Sequence, residues 1–377
     1  MNVLQVLPAL GSGGVERSTL EIASALRQAG HGAQIASSGG PLTQPIRNMG
    51  GVCHTLPMAS KNPIVWRVTA RALTAIIRDQ KIDIVHVRSR APAFPARWAV
   101  KRANKWGANV SFVTTYHGIY NANSSLKRRY NAVMTQADAV IANSSSTRDH
   151  IVKEHGLSQE AIDVIPRGVE LSRFPLDISP NRIDTIRAHW GVEPHEKVLL
   201  LPGRLTRWKG QIEAIKAMKG IDNLTLVIQG DSQGREAYLS ELKRLAAELP
   251  EGRVRFAAPH EDMAASYAAS FGAMSASQEP EAFGRVTAEA CAMGKPVIAT
   301  AHGGSIEILD GGRLGLMVPP GNIEAMHDQI AVLAAMRPEQ ASTFAQPAQS
   351  RARSLFTTEA MCAATLAVYS RLLEAKK

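Results

Sequence analysis

Cysteine, aromatic residues and long apolar runs are scarce in this 377-residue sequence, and each shortage argues against a class of protein. The cysteines, Cys53, Cys291 and Cys362, are scattered and form no Cys-x-x-Cys pair, which predicts inert thiols in a reducing cytoplasm and neither a metal nor a redox site. Aromatic residues make up 5% and no RNA-binding or zinc-finger signature occurs, so no nucleic-acid partner is expected. No run approaches the roughly 18 apolar residues of a membrane span, and the start, MNVLQVLPAL, lacks the basic region of a signal peptide.

Acidic residues are scarce in the first half of the chain only. Residues 1–168 carry 20 Lys and Arg against 9 Asp and Glu, a net charge of +11, whereas residues 169–377 carry 23 against 24. Basic residues cluster at 88–105 and at 126–130. Such clusters are typical either of solvated helix faces or of a surface for an anionic partner, such as acidic lipid headgroups or a phosphorylated acceptor.

Short apolar runs alternate with helix-length amphipathic segments along the chain. In the first half they predict strands at 3–8, 33–38, 51–57, 82–88, 111–117, 139–144 and 162–168. The pattern then restarts with strands at 197–204, 225–231, 254–259, 272–277, 296–300 and 315–319. Strands that alternate with helices form parallel sheets, so we predict an α/β fold of two doubly wound, Rossmann-like domains facing across a cleft.

A polar stretch in the middle of the chain predicts where the two domains meet. The polar, proline-bearing stretch 168–184 reads as the join, which predicts one domain over 1–168 and a second over 169–356. Residues 357–377 predict one long amphipathic helix. Ligands of such sheets bind beyond the carboxyl ends of the strands, so the motifs at those ends are the candidate site.

The first such motif is LPALGSGGVERS, at 7–18, a strand followed by a glycine-rich turn and a helix. Gly13 and Gly14 permit a tight turn that leaves helix-start amides facing an anion. A dinucleotide-binding loop would need glycine at position 16, where Glu16 stands, and an acidic residue after the second strand, which is missing. NAD binding is therefore disfavoured, while a purely structural turn stays open.

The second motif, PGRLTRWKG at 202–210, follows the first strand of the second domain. Its Arg204 and Lys209 lie five positions apart across a turn that begins a helix. A guanidinium fork and a lysine point charge suit a diphosphate. Basic loop residues are more often merely solvated, so this motif alone is a weak signal.

The third motif, EPEAFGRVTAEA at 279–290, places Glu281 in a loop and Glu289 inside the following helix. Eight helical residues span at most roughly 12 Å, about the separation of the two sugars of a nucleotide sugar. Backbone amides at the helix start, where phosphate binds, lie between the two carboxylates. The residues that supply this start are Ala282, Phe283, Gly284 and Arg285. The alternative is a solvated helix face with chance acidic residues.

Together these motifs resemble the retaining glycosyltransferases of family 4, which have the GT-B fold. EPEAFGRVTAEACAMGKPVIATAHGGSIEIL, at 279–309, is similar to the family's E-x7-E signature, and GRLTRWKG and LPALGSGGVERS are similar to its GR…KG element and glycine loop. IPRGVE, at 165–170, resembles the interdomain IPNGVD, with Arg167 in place of asparagine and Glu170 in place of aspartate. The resemblance implies that the C-terminal helix crosses back to the first domain.

The resemblance also implies roles for individual residues. Glu289 would accept hydrogen bonds from the ribose, Glu281 would bind hexose hydroxyls, and Arg204 with Lys209 would neutralise the departing diphosphate. Gly13 and Gly14 would let the first domain approach that diphosphate. His117, in TTYHG at a strand end, resembles a histidine that touches the donor sugar near its anomeric carbon; a lone histidine is as often structural.

The reaction so implied is retaining hexosyl transfer from a UDP- or GDP-sugar. The chain contains no Asp-x-Asp, so no metal or other cofactor is expected. The basic first half suggests a glycolipid or glycan acceptor, such as a lipopolysaccharide core or a lipid-linked saccharide, met at the cytoplasmic face of an anionic membrane. Open alternatives are a soluble acceptor, a sugar-nucleotide epimerase of similar fold, and a catalytically silent binding subunit.

Overall fold

The computed structural model describes residues 1–11 and 13–376, and the chain divides into two compact units. The first unit comprises Met1–Arg167 together with the C-terminal stretch that begins at Thr358, and the second comprises Gly168–Thr357.

The described residues of the first unit form a seven-stranded parallel sheet, in the order β3-β2-β1-β4-β5-β6-β7. Its strands are Asn2–Val6 (β1), Gly32–Ser37 (β2), Val52–Thr55 (β3), Ile84–Val87 (β4), Ser111–Tyr116 (β5), Ala139–Ala142 (β6) and Ile162–Val164 (β7). Val3 of β1 is aligned with Ala33 on one side and with Ile84 on the other. All seven predicted strands are confirmed. The central strands are almost fully buried because helices cover both faces of a parallel sheet, whereas β3, at the edge, is partly exposed.

The crossover helices of the first unit carry local signals that explain their limits. The helices are Gly14–Gln28 (α1), Thr43–Asn48 (α2), Pro63–Asp79 (α3), Arg90–Lys105 (α4), Ser125–Asn131 (α5) and Ser145–His155 (α6). At the start of α3, the Asn62 side chain accepts a hydrogen bond from the Ile64 amide, and proline occupies the first helical position. At the end of α6, Gly156 adopts a left-handed conformation with φ +69°, which stops the helix.

The described residues of the second unit form a six-stranded parallel sheet, in the order β10-β9-β8-β11-β12-β13. Its strands are Val198–Pro202 (β8), Thr225–Gln229 (β9), Val254–Ala257 (β10), Gly272–Ser275 (β11), Val297–Thr300 (β12) and Leu316–Val318 (β13). Its helices are Pro180–Trp190 (α7), Gln211–Ala217 (α8), Glu236–Ala246 (α9), Met263–Ala269 (α10), Arg285–Ala292 (α11), Gly304–Ile308 (α12), Ile323–Ala335 (α13) and Pro338–Leu355 (α14). The second strand series is thus also confirmed.

The C-terminal helix, Thr358–Glu374 (α15), packs on α1 of the first unit, as predicted. Tyr369 is fully buried, and its hydroxyl lies 2.5 Å from Nδ1 of His86 on β4. Arg371 forms an ion pair with Asp163, at 2.6 Å. None of the described helices is long and apolar enough to cross a bilayer.

The predicted join at 168–184 is built into the second unit, which begins at Gly168. Val169, Phe174 and Ile178 are buried in the hydrophobic core of the second unit, and α7 already begins at Pro180. The polar residues of this stretch concealed that apolar residues recur between them. Burying these three side chains stabilises the second unit by roughly 1.5–3 kcal/mol each.

Candidate active site

The residues of the second and third motifs meet at the carboxyl-end edge of the second sheet. Strands β8 and β11 are neighbours, so the loops that follow them emerge side by side. The loop after β8 carries Lys209, at the end of a 3₁₀ turn over Arg207–Lys209. The loop after β11 carries Glu281 and leads into α11.

Lys209 and Glu281 form an ion pair, with Nζ 2.6 Å from Oε1. Their side chains are 15% and 14% exposed, so solvent and small ligands can reach both. Ser277, two residues beyond the end of β11, donates a hydrogen bond to the same carboxylate oxygen. The Lys209 ammonium also lies 4.4 Å from the Trp208 ring centroid, a cation–π distance. The pair therefore presents a positive and a negative group to the same small region.

Close backbone contacts hold the two loops together. At Gly210, which directly follows Lys209 and has φ +74°, a Cβ atom would lie 1.8 Å from the carbonyl oxygen of Ala276. The amide of Gln278 donates to the Trp208 carbonyl at 2.6 Å. Only glycine at position 210 permits this approach, so the sequence fixes the spacing of Lys209 and Glu281 through a residue with no side chain.

The loop with Glu281 is braced from its other side by the Gly303–Gly304 turn. The Gly304 amide donates to the Glu281 carbonyl at 2.9 Å, and a Cβ on Gly303 would lie 2.2 Å from that oxygen. Phe283 is buried, and Gly284 takes a left-handed conformation at φ +85° to start α11. Ala282 lies half-buried between Glu281 and Phe283. The predicted helix start is thus placed next to the ion pair.

Glu289 is the fifth residue of α11 and is only 7% exposed. Its two carboxylate oxygens have different partners. Oε1 accepts from Arg285 at 2.8 Å, and Oε2 accepts from the Tyr267 hydroxyl at 3.2 Å. Burial, and then the negative charge of Glu289, hold the pKa of Tyr267 well above its usual range, so the phenol stays a hydrogen-bond donor. The carboxylate is therefore oriented before any ligand binds.

Arg204 behaves differently from Lys209. Its guanidinium is exposed and makes no hydrogen bond or ion pair with any of the described residues, while its carbonyl accepts from Gln211 at 3.0 Å. Such a guanidinium, whose planar set of N–H donors has no partner among the described residues, is suited to binding an anion.

In the first unit, the structure brings the predicted His117 and Gly14 together through Arg167. Arg167 Nη2 lies 3.3 Å from His117 Nδ1, and a Cβ on Gly14 would come within 2.1 Å of Arg167 Nη1. Gly13 is the residue that precedes α1 and caps its start. Because guanidinium only donates, Nδ1 accepts and the imidazole proton resides on Nε2. Burial first, and then the charge of Arg167, hold the pKa of His117 well below its usual range.

Replacing Arg167 by Gln is expected to raise the His117 pKa and to lower the fraction of the Nε2-protonated tautomer. The pKa should stay below the ordinary value of about 6.5, since burial is the larger cause. Below about pH 6.5 the unfolded chain binds a proton on His117 and the folded chain does not. The free energy of unfolding therefore decreases as the pH drops through 6.5. This decrease should be smaller in the variant. NMR titration of ¹⁵N-labelled histidine measures both. Arg167→Lys, which keeps the charge, is the control, and an unchanged pKa in Arg167→Gln would contradict the assignment.

Sequence reasoning singled out Glu281, Glu289, Lys209 and Arg204 but missed their supporting residues. Tyr267 and Arg167 lie 22 and 50 positions along the chain from the groups they contact, whereas Ser277 lies only four positions before Glu281. For Arg167 a signal existed, namely its departure from the IPNGVD pattern. Among the described residues no group of three or more His, Cys, Asp or Glu side chains is placed to hold a metal ion.

Comparison with known proteins matches each half of the chain to a glycosyltransferase model. Residues 12–173 match the model of "Glycosyltransferase Family 4", and residues 182–351 match that of "Glycosyl transferases group 1". A glycosyltransferase structure from Rickettsia africae is 32% identical, with TM-score 0.90, covering 99% of this chain and 98% of that one. A D-inositol 3-phosphate glycosyltransferase of Pseudarthrobacter chlorophenolicus is 28% identical over 81% of this chain and 78% of its own length. Anabaena HepE in complex with UDP-glucose is 24% identical, with TM-score 0.80, over 98% of this chain and all of that one.

Proposed function

This chain belongs to the group 1, family 4 glycosyltransferases of GT-B fold, and we propose that it transfers a hexosyl group from a nucleoside-diphosphate sugar to a hydroxyl, retaining the anomeric configuration and using no metal. The observation that carries this proposal is the Lys209–Glu281 ion pair beside the start of α11. It sets a cation for phosphate and a carboxylate for sugar hydroxyls side by side. The HepE complex with UDP-glucose supports a nucleotide-sugar donor.

In this proposal the second unit contacts three parts of the donor: the diphosphate, the hexose and the ribose. Lys209, Arg204 and the amides at the start of α11 receive the diphosphate, whose negative charge grows as the glycosidic bond breaks. Glu281 accepts hydrogen bonds from the hexose hydroxyls. Glu289, already oriented by Arg285 and Tyr267, accepts from the ribose hydroxyls. Preorganisation of this kind reduces the entropy lost on binding.

The chemical step would be accelerated mainly by electrostatic stabilisation of the leaving group. The bond between the anomeric carbon and the phosphate oxygen breaks through an oxocarbenium-like transition state, and the acceptor hydroxyl attacks from the same face. The departing phosphate oxygen takes the acceptor's proton, so no protein base is needed. Lys209 and Arg204 lower the barrier by stabilising that phosphate. His117, Gly13 and Gly14 remain predicted contacts of the donor.

We further propose that the acceptor is an anionic glycolipid or glycan, such as a lipopolysaccharide core, met at the inner face of a membrane. The support is the net charge of +11 over residues 1–168, since each basic residue near an anionic surface contributes about 1 kcal/mol. A soluble phosphorylated acceptor is the second candidate, and it is favoured by the name of the Pseudarthrobacter relative.

The test is slow release of nucleoside diphosphate without an acceptor. Purified protein is incubated in EDTA with UDP-glucose, UDP-galactose, UDP-N-acetylglucosamine or GDP-mannose, and Glu281→Ala serves as the inactive control. Release from one donor that is lost in the variant is expected. If EDTA abolishes release and a divalent metal restores it, the metal-free part of the proposal fails. If no donor is bound in calorimetry or turned over, the donor assignment fails.

A further inference from the structure

A small cavity of about 20 Å³ lies in the first unit, at the carboxyl ends of the neighbouring strands β4, β5 and β6. Three of its lining residues, Arg88, His117 and Asn143, are each the first residue after one of these strands. Residues of α1 and α15 complete the lining. None of the described residues that line the cavity is acidic, whereas Arg88 and Arg167 are both cations, so the cavity is electropositive.

Arg88 is a buried cation whose hydrogen-bond partners are all neutral. It is only 2% exposed, and it donates to the Gln5 side chain at 2.9 Å and to the Ser18 hydroxyl at 3.3 Å. Burial lowers the pKa of Arg88 although the charge of Glu21 opposes this shift, and Glu21 itself forms an ion pair with Arg17 at 3.4 Å. A buried charge without a paired counter-charge is costly in a folded protein.

Three buried N–H donors of the lining residues have no hydrogen-bond partner among the described residues. They are Nη2 of Arg88, Nε2 of His117 and Nδ2 of Asn143. Asn143 is 1% exposed, and its Oδ1 accepts from the Thr147 hydroxyl at 3.0 Å, which leaves the amide nitrogen as the spare group. Nearly all buried polar groups in proteins are hydrogen-bonded, so three such donors around one cavity indicate a ligand that accepts hydrogen bonds.

The other polar groups of the lining are already engaged. His86 lies 2.5 Å from the Tyr369 hydroxyl through Nδ1 and 2.7 Å from the Thr115 hydroxyl through Nε2. The hydroxyls of Ser18 and Thr365 donate to backbone carbonyls of their own helices. The spare hydrogen-bonding capacity that the lining offers is therefore mainly that of the three N–H donors, one of which carries a positive charge.

We propose that this cavity binds a monatomic anion such as chloride, held by Arg88 Nη2, His117 Nε2 and Asn143 Nδ2. A volume of about 20 Å³ exceeds the roughly 10–15 Å³ that a single water molecule needs, but it is too small for a phosphate group. A water molecule would fill the space and leave the charge of Arg88 without a counter-charge, whereas an anion supplies one.

The site goes beyond the proposed function, although the two share one residue. His117 already accepts a hydrogen bond from Arg167 through Nδ1. An anion at Nε2 would engage the second ring nitrogen and fix the orientation of the ring that is predicted to contact the donor. Binding of the anion itself requires neither a donor nor an acceptor.

Thermal unfolding of the full chain tests the site in sodium gluconate that is replaced stepwise by sodium chloride or bromide at constant ionic strength. Gluconate is too large for the cavity, so halide should raise Tm saturably, by at least about 2 °C. Asn143→Asp should abolish this rise, because the new carboxylate pairs with Arg88 in place of the halide and still accepts from Thr147. Asn123→Asp, the same change of charge in an exposed loop of the first unit, should keep it.

Crystals of the wild-type chain grown in bromide locate the ion directly. An anomalous peak is expected in the cavity, within hydrogen-bond distance of the three nitrogen atoms. If Asn143→Asp does not fold, this peak and the wild-type Tm series together decide the question.

Three results would overturn the proposal. A cavity without a bromide peak, in a protein whose Tm does not respond to halide, would hold water. An equal rise of Tm in wild type and Asn143→Asp would mean that salt acts on the surface of the protein. A bromide peak without any rise of Tm would mean an adventitious ion only. Since no donor is present in these experiments, their outcome is independent of the test of hexosyl transfer.

Discussion

Lys209→Met is expected to lower kcat/KM for the donor by about 10²–10³-fold, equivalent to about 2.7–4 kcal/mol of transition-state stabilisation. The substitution keeps the length of the side chain but removes the ammonium that lies 2.6 Å from Glu281. Two effects add in the same direction. The departing diphosphate loses a cation, and the carboxylate of Glu281 loses the partner that orients it toward the hexose. Because the cation matters most as phosphate charge develops, we expect kcat to fall more than KM rises.

Initial-rate kinetics of nucleoside diphosphate release measure this effect. Lys216→Met is the matched control, since Lys216 is an exposed lysine on α8, seven positions further along. The control should retain wild-type kinetics. A Lys209→Met enzyme within threefold of wild type would remove Lys209 from the reaction.

Gly210→Ala should destabilise the second unit by about 1–3 kcal/mol more than Gly311→Ala does. The two glycines have nearly the same backbone conformation, with φ +74° and ψ 23° at Gly210 and φ +69° and ψ 16° at Gly311. Forcing alanine into this left-handed region costs roughly 1–2 kcal/mol at either position. At Gly210 the new Cβ also meets the Ala276 carbonyl at 1.8 Å, whereas Gly311 has no atom within 4 Å. The difference is therefore an overpacking cost, typically about 1–3 kcal/mol.

Relief of that clash must separate the loop of Lys209 from the loop of Glu281. Gly210→Ala is thus also expected to lose donor turnover at a temperature at which the protein is still folded, while Gly311→Ala keeps it. Urea unfolding supplies the stability difference, and nucleoside diphosphate release supplies the activity. Equal free energies of unfolding in the two variants would mean that the contact between Gly210 and the Ala276 carbonyl does not limit the size of the side chain at position 210.

The elements of both sheets could be predicted because each strand is a short apolar run bounded by polar turns. Their order could not be read as directly, since β1 lies between β2 and β4 although β3 intervenes in the chain. The buried residues within the stretch 168–184 could not be predicted either. Its three buried residues are separated by charged and proline positions, so neither strand nor helix periodicity reveals them.

The site could be predicted as a set of residues but not as a set of contacts. Glu281 and Glu289 stand out through their spacing and flanking glycines. The pairing of Lys209 with Glu281 joins residues 72 positions apart, and only the parallel pairing of β8 with β11 brings their loops together. Arg167 and His117 are likewise 50 positions apart. Composition identified the basic first half of the chain, but it does not show which of those side chains lie together in space.

The most direct test of the central proposal is the anomeric configuration of the sugar first released from its donor. Wild-type protein is incubated in EDTA with the α-linked donor that it turns over, and proton NMR follows the free sugar before mutarotation equilibrates its anomers. Glu281→Ala is the blank. A retaining transferase that uses water as a slow acceptor yields the α anomer first. Initial appearance of the β anomer, at a rate that requires Glu281, would contradict the account.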